Sequence, residues 1–287
     1  GAIGANFLVF YTLVEPGDTV ISIQPAYQQL YSVAKSLGGN VRLLHLRPEN
    51  RWLPALADLI ELIDYKTKLI VINNPHNPTG GLIDTSLLND ICTIARDAGA
   101  YLLCDEVYRG LYINPNDAVS SAVDLSERAI VTGSFSKAFS LSGLRLGWIA
   151  ANERVIQKCL HHRDYVTISN GLIDDALAAL AIKHVDRIYQ RNLNILRTNH
   201  KILSQWIAEE PLIDWVPPRA GSVAFLQHFL EISSEELCLR LIKEQGTFLV
   251  PGSCFELEGY LRIGYGCNTE TLKAGLARVK EFLGAYR

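Results

Sequence analysis

Five short, nearly continuous apolar runs constrain the fold most: Thr19 to Ile23, Leu69 to Asn73, Tyr101 to Asp105, Ala129 to Gly133 and Leu146 to Ala150, each bounded by Gly, Pro or polar residues. A strand without a polar face must be covered on both sides. Helical patterns lie between several of these runs, at Asn6 to Val14, Ala26 to Ser36 and Leu87 to Ala98, the last followed by Gly99 as a stop signal. The alternation predicts an α/β fold, a mostly parallel sheet sandwiched by helices and wound with right-handed crossovers.

From Glu153 to about Glu210 the pattern is helical almost throughout. Beyond it the order changes. Trp215 to Val216, Val223 to His228, Thr247 to Val250 and Tyr260 to Ile263 read as strands, and Ser234 to Gln245 and Thr269 to Tyr286 as helices. This predicts a large domain over 1–190 and a smaller α+β C-terminal domain over 191–287.

Composition excludes several classes of function. The 287 residues are 48% hydrophobic and 20% charged, an ordinary globular balance. Lys and Arg number 27 against 30 Asp and Glu, with no block of one sign, so no nucleic-acid footprint is expected. Apolar stretches such as Ala176 to Ile182 are far shorter than the ~20 residues that cross a bilayer, and the first residues show neither a basic n-region nor a small-residue cleavage site. The expectation is a cytoplasmic protein with no membrane partner. Cys92, Cys104, Cys159, Cys238, Cys254 and Cys267 form no C-x-x-C pair, so reduced, mostly buried thiols are expected, with neither a metal site nor a disulfide framework. There is no Met, and Gly1 opens in the middle of a motif, from which a preceding segment is expected in the natural protein.

Ligands of open α/β sheets sit at the carboxyl ends of the strands. Three strand ends here are rich in chemistry. The first is Asn73-Asn74-Pro75-His76-Asn77-Pro78-Thr79-Gly80, where Asn before Pro is held out of the helical region and its amide can project into a cleft. The second is Cys104-Asp105-Glu106-Val107-Tyr108. A carboxylate ending an apolar strand requires a cation or proton-bearing nitrogen, so Asp105 should have a positive partner, although a helix N-cap would serve as well. Tyr108 could equally pack at an edge. The third is Gly133-Ser134-Phe135-Ser136-Lys137-Ala138-Phe139, with Arg145 eight positions after Lys137. A lysine among small and aromatic residues, near a second cation, loses hydration, and its nucleophilic amine form becomes accessible.

These elements resemble the class I/II aminotransferases, fold type I enzymes that use pyridoxal 5'-phosphate (PLP). The resemblance spans essentially the whole chain. It rests on N-P-x-N-P-T-G, D-E-V-Y and S-x-S-K, with 28 residues from Asn77 to Asp105 and 32 from Asp105 to Lys137. By this resemblance Lys137 binds the cofactor aldehyde and later moves the substrate proton, and Asp105 keeps the pyridine nitrogen protonated. Tyr108 and Asn77 donate to the ring oxygen, and Tyr27 stacks on the ring. Ser134, Ser136 and Arg145 hold the phosphate, and Gly1 and Ala2 complete the cup at the start of a helix expected near Asn6. Arg262 matches the arginine that grips the substrate α-carboxylate, beside Asn77; alone it would read as a structural ion pair.

The family implies an amino acid and a 2-oxo acid as partners, and a homodimer. The stretch His161 to Asn170 falls where substrate and dimer contacts are expected, but carries no arginine at the place used by dicarboxylate-specific members. His161 and His162 lack the spacing of a metal pair and read as surface residues.

Three readings follow. One is an aminotransferase. A second is a PLP-dependent lyase or cyclodehydratase, because Gly1 to Asn6, Pro25 to Tyr31 and His162 to Tyr165 resemble the capreomycidine synthase-like branch, which cyclises hydroxylated arginines; Asp164 could then meet a guanidinium. A third is the aminotransferase-like sensor domain of a transcription regulator.

Overall fold

A computed structural model describes the whole chain, Gly1–Arg287. Helix α1 (Ala2–Leu13) leads into β1 (Thr19–Gln24), α2 (Gln29–Ser36), β2 (Asn40–His45), α3 (Leu56–Glu61), β3 (Thr67–Asn73), α4 (Thr85–Asp97), β4 (Tyr101–Asp105), α5 (Ala122–Leu125), β5 (Ala129–Ser134) and β6 (Gly147–Ala150). Their strands form one six-stranded sheet in the order β2-β1-β3-β4-β5-β6. All neighbours in it are parallel except β5 and β6.

The apolar runs explain this order. Every residue of β1 and β5 is buried, and β3 and β4 are buried but for one position each, so these strands occupy the interior of the sheet. Strand β2 was not expected. Its sequence Asn-Val-Arg-Leu-Leu-His lacks a continuous apolar run because it is an edge strand with only Leu44 buried. The helix expected from Leu87 begins two residues earlier, where the Asp84 side chain caps it by accepting from the Leu87 N–H, and Gly99 follows it with φ of +69° as the left-handed stop. The helix expected from Ala26 starts only at Gln29.

Helices α6 (Glu153–Arg163), α7 (Leu172–Lys183) and α8 (Val185–Ala208) follow, then β7 (Ile213–Trp215), β8 (Val223–His228), α9 (Ser234–Gln245), β9 (Val250–Pro251), β10 (Tyr260–Gly264) and α10 (Thr269–Gly284). The last four strands form an antiparallel sheet ordered β7-β8-β10-β9. One apolar cluster surrounds the first sheet. The second joins α8, α9 and α10 to the small sheet and also takes in Tyr108, Phe135 and Phe139 from the rim of the first. The rim where the two clusters meet is where the strand-end motifs lie.

Candidate active site

Register brings those motifs together. Asn73 of β3 pairs with Asp105 of β4, and Asp105 with Thr132 of β5, so three strands reach their carboxyl ends side by side. A cavity of about 640 Å³ opens there, and Ala2, Tyr27, Asn77, Asp105, Tyr108, Ser134, Ser136, Lys137, Arg145 and Arg262 all line it. Of the residues matched to cofactor or α-carboxylate binding, Gly1 alone lies outside its wall; it borders a neighbouring 370 Å³ cleft that shares Arg145.

The doubled Asn-Pro unit is tied down internally. The Asn73 amide donates to the Asp105 carbonyl at 2.7 Å, and its oxygen accepts from the Asn77 N–H at 2.7 Å. Asn74 bridges both backbone groups of Ile83. His76 is buried, with Nδ1 2.7 Å from the Thr79 hydroxyl, and burial pushes its imidazole down to about 4, so it is neutral near pH 7. So anchored, the loop presents Asn77 to the cavity, where its oxygen accepts from Arg262 Nη1 at 3.1 Å. The remaining Arg262 surface packs over the Phe255 ring, 5.2 Å from its centroid.

Two adjacent acids have opposite fates. Glu106 is used structurally: its carboxylate accepts from the Ser121 hydroxyl, the Ala122 N–H and Arg109. Asp105 faces the cavity, with Oδ1 accepting from the Val107 N–H at 3.0 Å and Oδ2 from the Asn6 amide at 2.8 Å. The expected cation does not touch it; the charge that favours its ionised form across the cavity is Lys137. Burial pushes the Asp105 carboxyl above the ordinary range, opposed first by Asn6 and then by Val107. A buried carboxylate with spare lone pairs toward an open cavity fits a cationic ring nitrogen.

Lys137 is exposed, but into that cavity, and forms no ion pair. Desolvation lowers its pKa first, then Arg262 and Arg145, against the pull of Asp105. Its Nζ lies 5.8 Å from the centroid of the Tyr108 ring. Burial drives the Tyr108 hydroxyl up to about 12, so it stays a protonated donor.

The anion cradle has a steric basis. Ser136 N–H donates to the Ser134 hydroxyl at 3.2 Å. Arg145 sits in the left-handed region with φ of 54°, and its carbonyl accepts from the Gly1 nitrogen at 2.6 Å. At Gly147 a Cβ would stand 2.6 Å from the Gly1 carbonyl carbon and 2.9 Å from the Ala2 nitrogen, so only glycine lets β6 approach the start of α1. A Cβ at Gly1 would lie 3.5 Å from both Arg145 Nη2 and Ser136 Oγ. The helix therefore begins at Ala2 and not near Asn6, and its first turn, free of acidic residues, stands beside two hydroxyls and a guanidinium. That combination suits a phosphate.

Asn6 was missed as a site residue because the delayed helix start left it at a terminus. In place it is one turn inside α1 and buried. An Asn within an apolar helix is the signal that could have found it, since its amide must be satisfied by tertiary partners. Conversely, no residue of His161 to Asn170 lines the cavity. Arg163, Val166, Thr167 and Asn170 border the neighbouring cleft instead, and Asp164 lines neither cavity. His161 and His162 bond to Tyr165 and Thr12.

A sequence model described as "Aminotransferase class I and II" matches residues 1–279. The chain belongs to the class I and II aminotransferases. It is 34% identical over 287 residues to a capreomycidine synthase of Streptomyces vinaceus, a match spanning 100% of this chain and 74% of that one. It is 30% identical to an aspartate aminotransferase of Pyrococcus horikoshii, over 99% of this chain and 74% of that one. The crystal structure of a PLP-dependent aminotransferase from Streptococcus suis superimposes with a TM-score of 0.97 at 45% identity, covering 100% of this chain and 76% of that one. The mostly parallel sheet with its helical layers is the fold of that aminotransferase.

Proposed function

We propose that this chain is a PLP-dependent enzyme that transfers the amino group of an amino acid to a 2-oxo acid. The observation that carries the reading is that Lys137 and Asp105 face one cavity, with an anion cradle at one end and Arg262 at another. Ser134, Ser136, Arg145 and the N–H groups at Gly1 and Ala2 would hold the cofactor phosphate, Asp105 its ring nitrogen, Tyr108 and Asn77 its ring oxygen, and Tyr27 its face. When bound, PLP supplies an electron sink for charge left on the substrate α-carbon. Arg262, already oriented by Asn77, offers its free N–H groups to the substrate carboxylate. Desolvation, Arg262 and Arg145 lower the Lys137 pKa, which favours the amine form that would take the α-proton and return it.

The test is to mix the PLP-loaded protein with a panel of amino acids, hydroxyarginines included, without any oxo acid. Transamination converts the bound cofactor to its pyridoxamine form in a single turnover. The 34% identity to capreomycidine synthase favours a second reading, elimination or cyclisation, in which product accumulates while the starting cofactor spectrum returns. Failure of every amino acid both to change the spectrum and to yield product would remove both readings.

We further assign the two sheets to two domains, with α8 spanning the boundary near residue 190, and place the protein in a reducing cytoplasm on its six unpaired cysteines. No helix is long and apolar enough to cross a membrane. A homodimer is supported by apolar side chains left open on and before α7, among them Ile168 (72% exposed), Leu172 (84%) and Ile173 (77%). Changing Leu172 and Ile173 together to Glu should halve the mass measured by light scattering; an unchanged mass would count against this face.

A further inference from the structure

We propose that Asn6 is a positioning residue that, locked by Thr132 and Gln29, holds the Asp105 carboxylate aimed at a cationic ring nitrogen. The inference rests on the PLP reading of the cavity.

The argument is one of forced orientation. Asn6 is 1% exposed and Thr132 is fully buried, so neither exchanges with bulk water. Carboxylate oxygens only accept, so the Asn6 group 2.8 Å from Asp105 Oδ2 must be its NH₂. Its carbonyl oxygen then points to Thr132, whose hydroxyl donates to it at 2.6 Å. The second amide hydrogen is directed at Gln29 Oε1, 3.4 Å away. Gln29 cannot flip freely, because its own NH₂ donates to the Ile3 carbonyl at 2.6 Å. The Asn6 amide thus has each hydrogen and its oxygen assigned, and only one orientation satisfies all of them.

The consequence falls on Asp105. Its Oδ1 is fixed by the backbone at Val107, a contact that any local side-chain change leaves in place. Its Oδ2 depends on Asn6 alone among side-chain donors. The charges acting on this carboxylate are Glu106, which opposes ionisation, and Lys137, which favours it. Without Asn6, burial and Glu106 are opposed only by the backbone bond at Val107 and by Lys137, which shifts the shared proton toward the carboxyl and away from the ring. The four elements involved are helices α1 and α2 and strands β4 and β5, so the device also registers the start of α1 against the sheet that carries Asp105.

The test loads the full chain with PLP labelled with ¹⁵N in the ring. Wild type, Asn6→Leu, Thr132→Val and Thr132→Ser are compared near neutral pH, by the ring-nitrogen chemical shift and by the cofactor dissociation constant. In wild type the nitrogen should resonate at its protonated position. Asn6→Leu should move it toward the unprotonated position and weaken cofactor binding about tenfold or more, the scale of one hydrogen bond to a charged group. Thr132→Val, which keeps the shape but frees the amide to rotate, should move the shift in the same direction by less, and Thr132→Ser should match wild type. If Asn6→Leu does not fold, Thr132→Val decides. Wild-type shift and affinity in a folded Asn6→Leu, or in Thr132→Val where it alone folds, would overturn the proposal while leaving the cofactor reading intact. Absence of cofactor uptake by wild type would overturn both.

Discussion

Replacing Lys137 by alanine should remove the absorbance of the imine between protein and cofactor and slow the reaction with amino acids by roughly 10³-fold or more, the upper range for loss of a positioned proton carrier. Lys137 is the one amine among the residues lining the cavity, so no neighbour replaces it. Borohydride treatment of the loaded wild type should fix the cofactor mass on the peptide bearing Lys137, and on no peptide of the variant. The cofactor-free protein gives a second readout. Its folded-state pKa lies below the ordinary lysine value, so the unfolded chain holds more protons between the two values, and stability rises with pH across that window. Below the lowered pKa the amine is charged in both states and the burial cost is felt in full, although water in the open cavity screens part of it. The variant should therefore be at least as stable as wild type below that window and show less gain as pH rises toward the ordinary lysine value, checked by thermal melts. A variant that keeps the imine absorbance would refute the role given to Lys137.

How much of this was legible beforehand differs between residues for physical reasons. Strands β1, β3, β4 and β5 were readable because each is buried on both faces and so wears a nearly continuous apolar run. Strand β2 and helix α3 escaped, since the first is a half-exposed edge and the second buries only Leu59. Site residues at strand ends were found because polar groups are costly there and must have a purpose. Asn6 was not, because its partners Asp105 and Thr132 lie 99 and 126 residues away, and only the packing of α1 across β4 and β5 makes its amide meaningful. The left-handed Arg145 and the contact that restricts position 147 to glycine were equally invisible, since both depend on how closely β6 approaches α1.

Asp105→Asn should fold, bind the cofactor more weakly and lose about 10²- to 10³-fold in turnover, the range for stripping one partner from a buried charge pair. The substitution keeps the shape and the acceptor for Val107 but places a neutral amide where the ring nitrogen needs an anion. It also sets the NH₂ of the introduced amide against the NH₂ of Asn6 unless one of them turns, which weakens the contact to Thr132. Stability without cofactor should move the other way. Burial raises the Asp105 carboxyl above its unfolded value, so the folded state holds more protons between the two values. Its contribution to stability is therefore present at low pH and lost as pH rises through the raised value. Glu106 is raised as well, but both proteins carry it, so the difference between them isolates position 105. Melts of the cofactor-free proteins from pH 4 upward should show wild type losing ground to Asp105→Asn as the carboxyl ionises, while cofactor-loaded wild type regains the lead once the ring cation offsets that charge. The two orders, variant more stable when empty and wild type more stable when loaded, distinguish a group kept for a cationic ligand from one kept for the fold. Unimpaired turnover in Asp105→Asn, or the same stability order in both forms, would rule out that assignment.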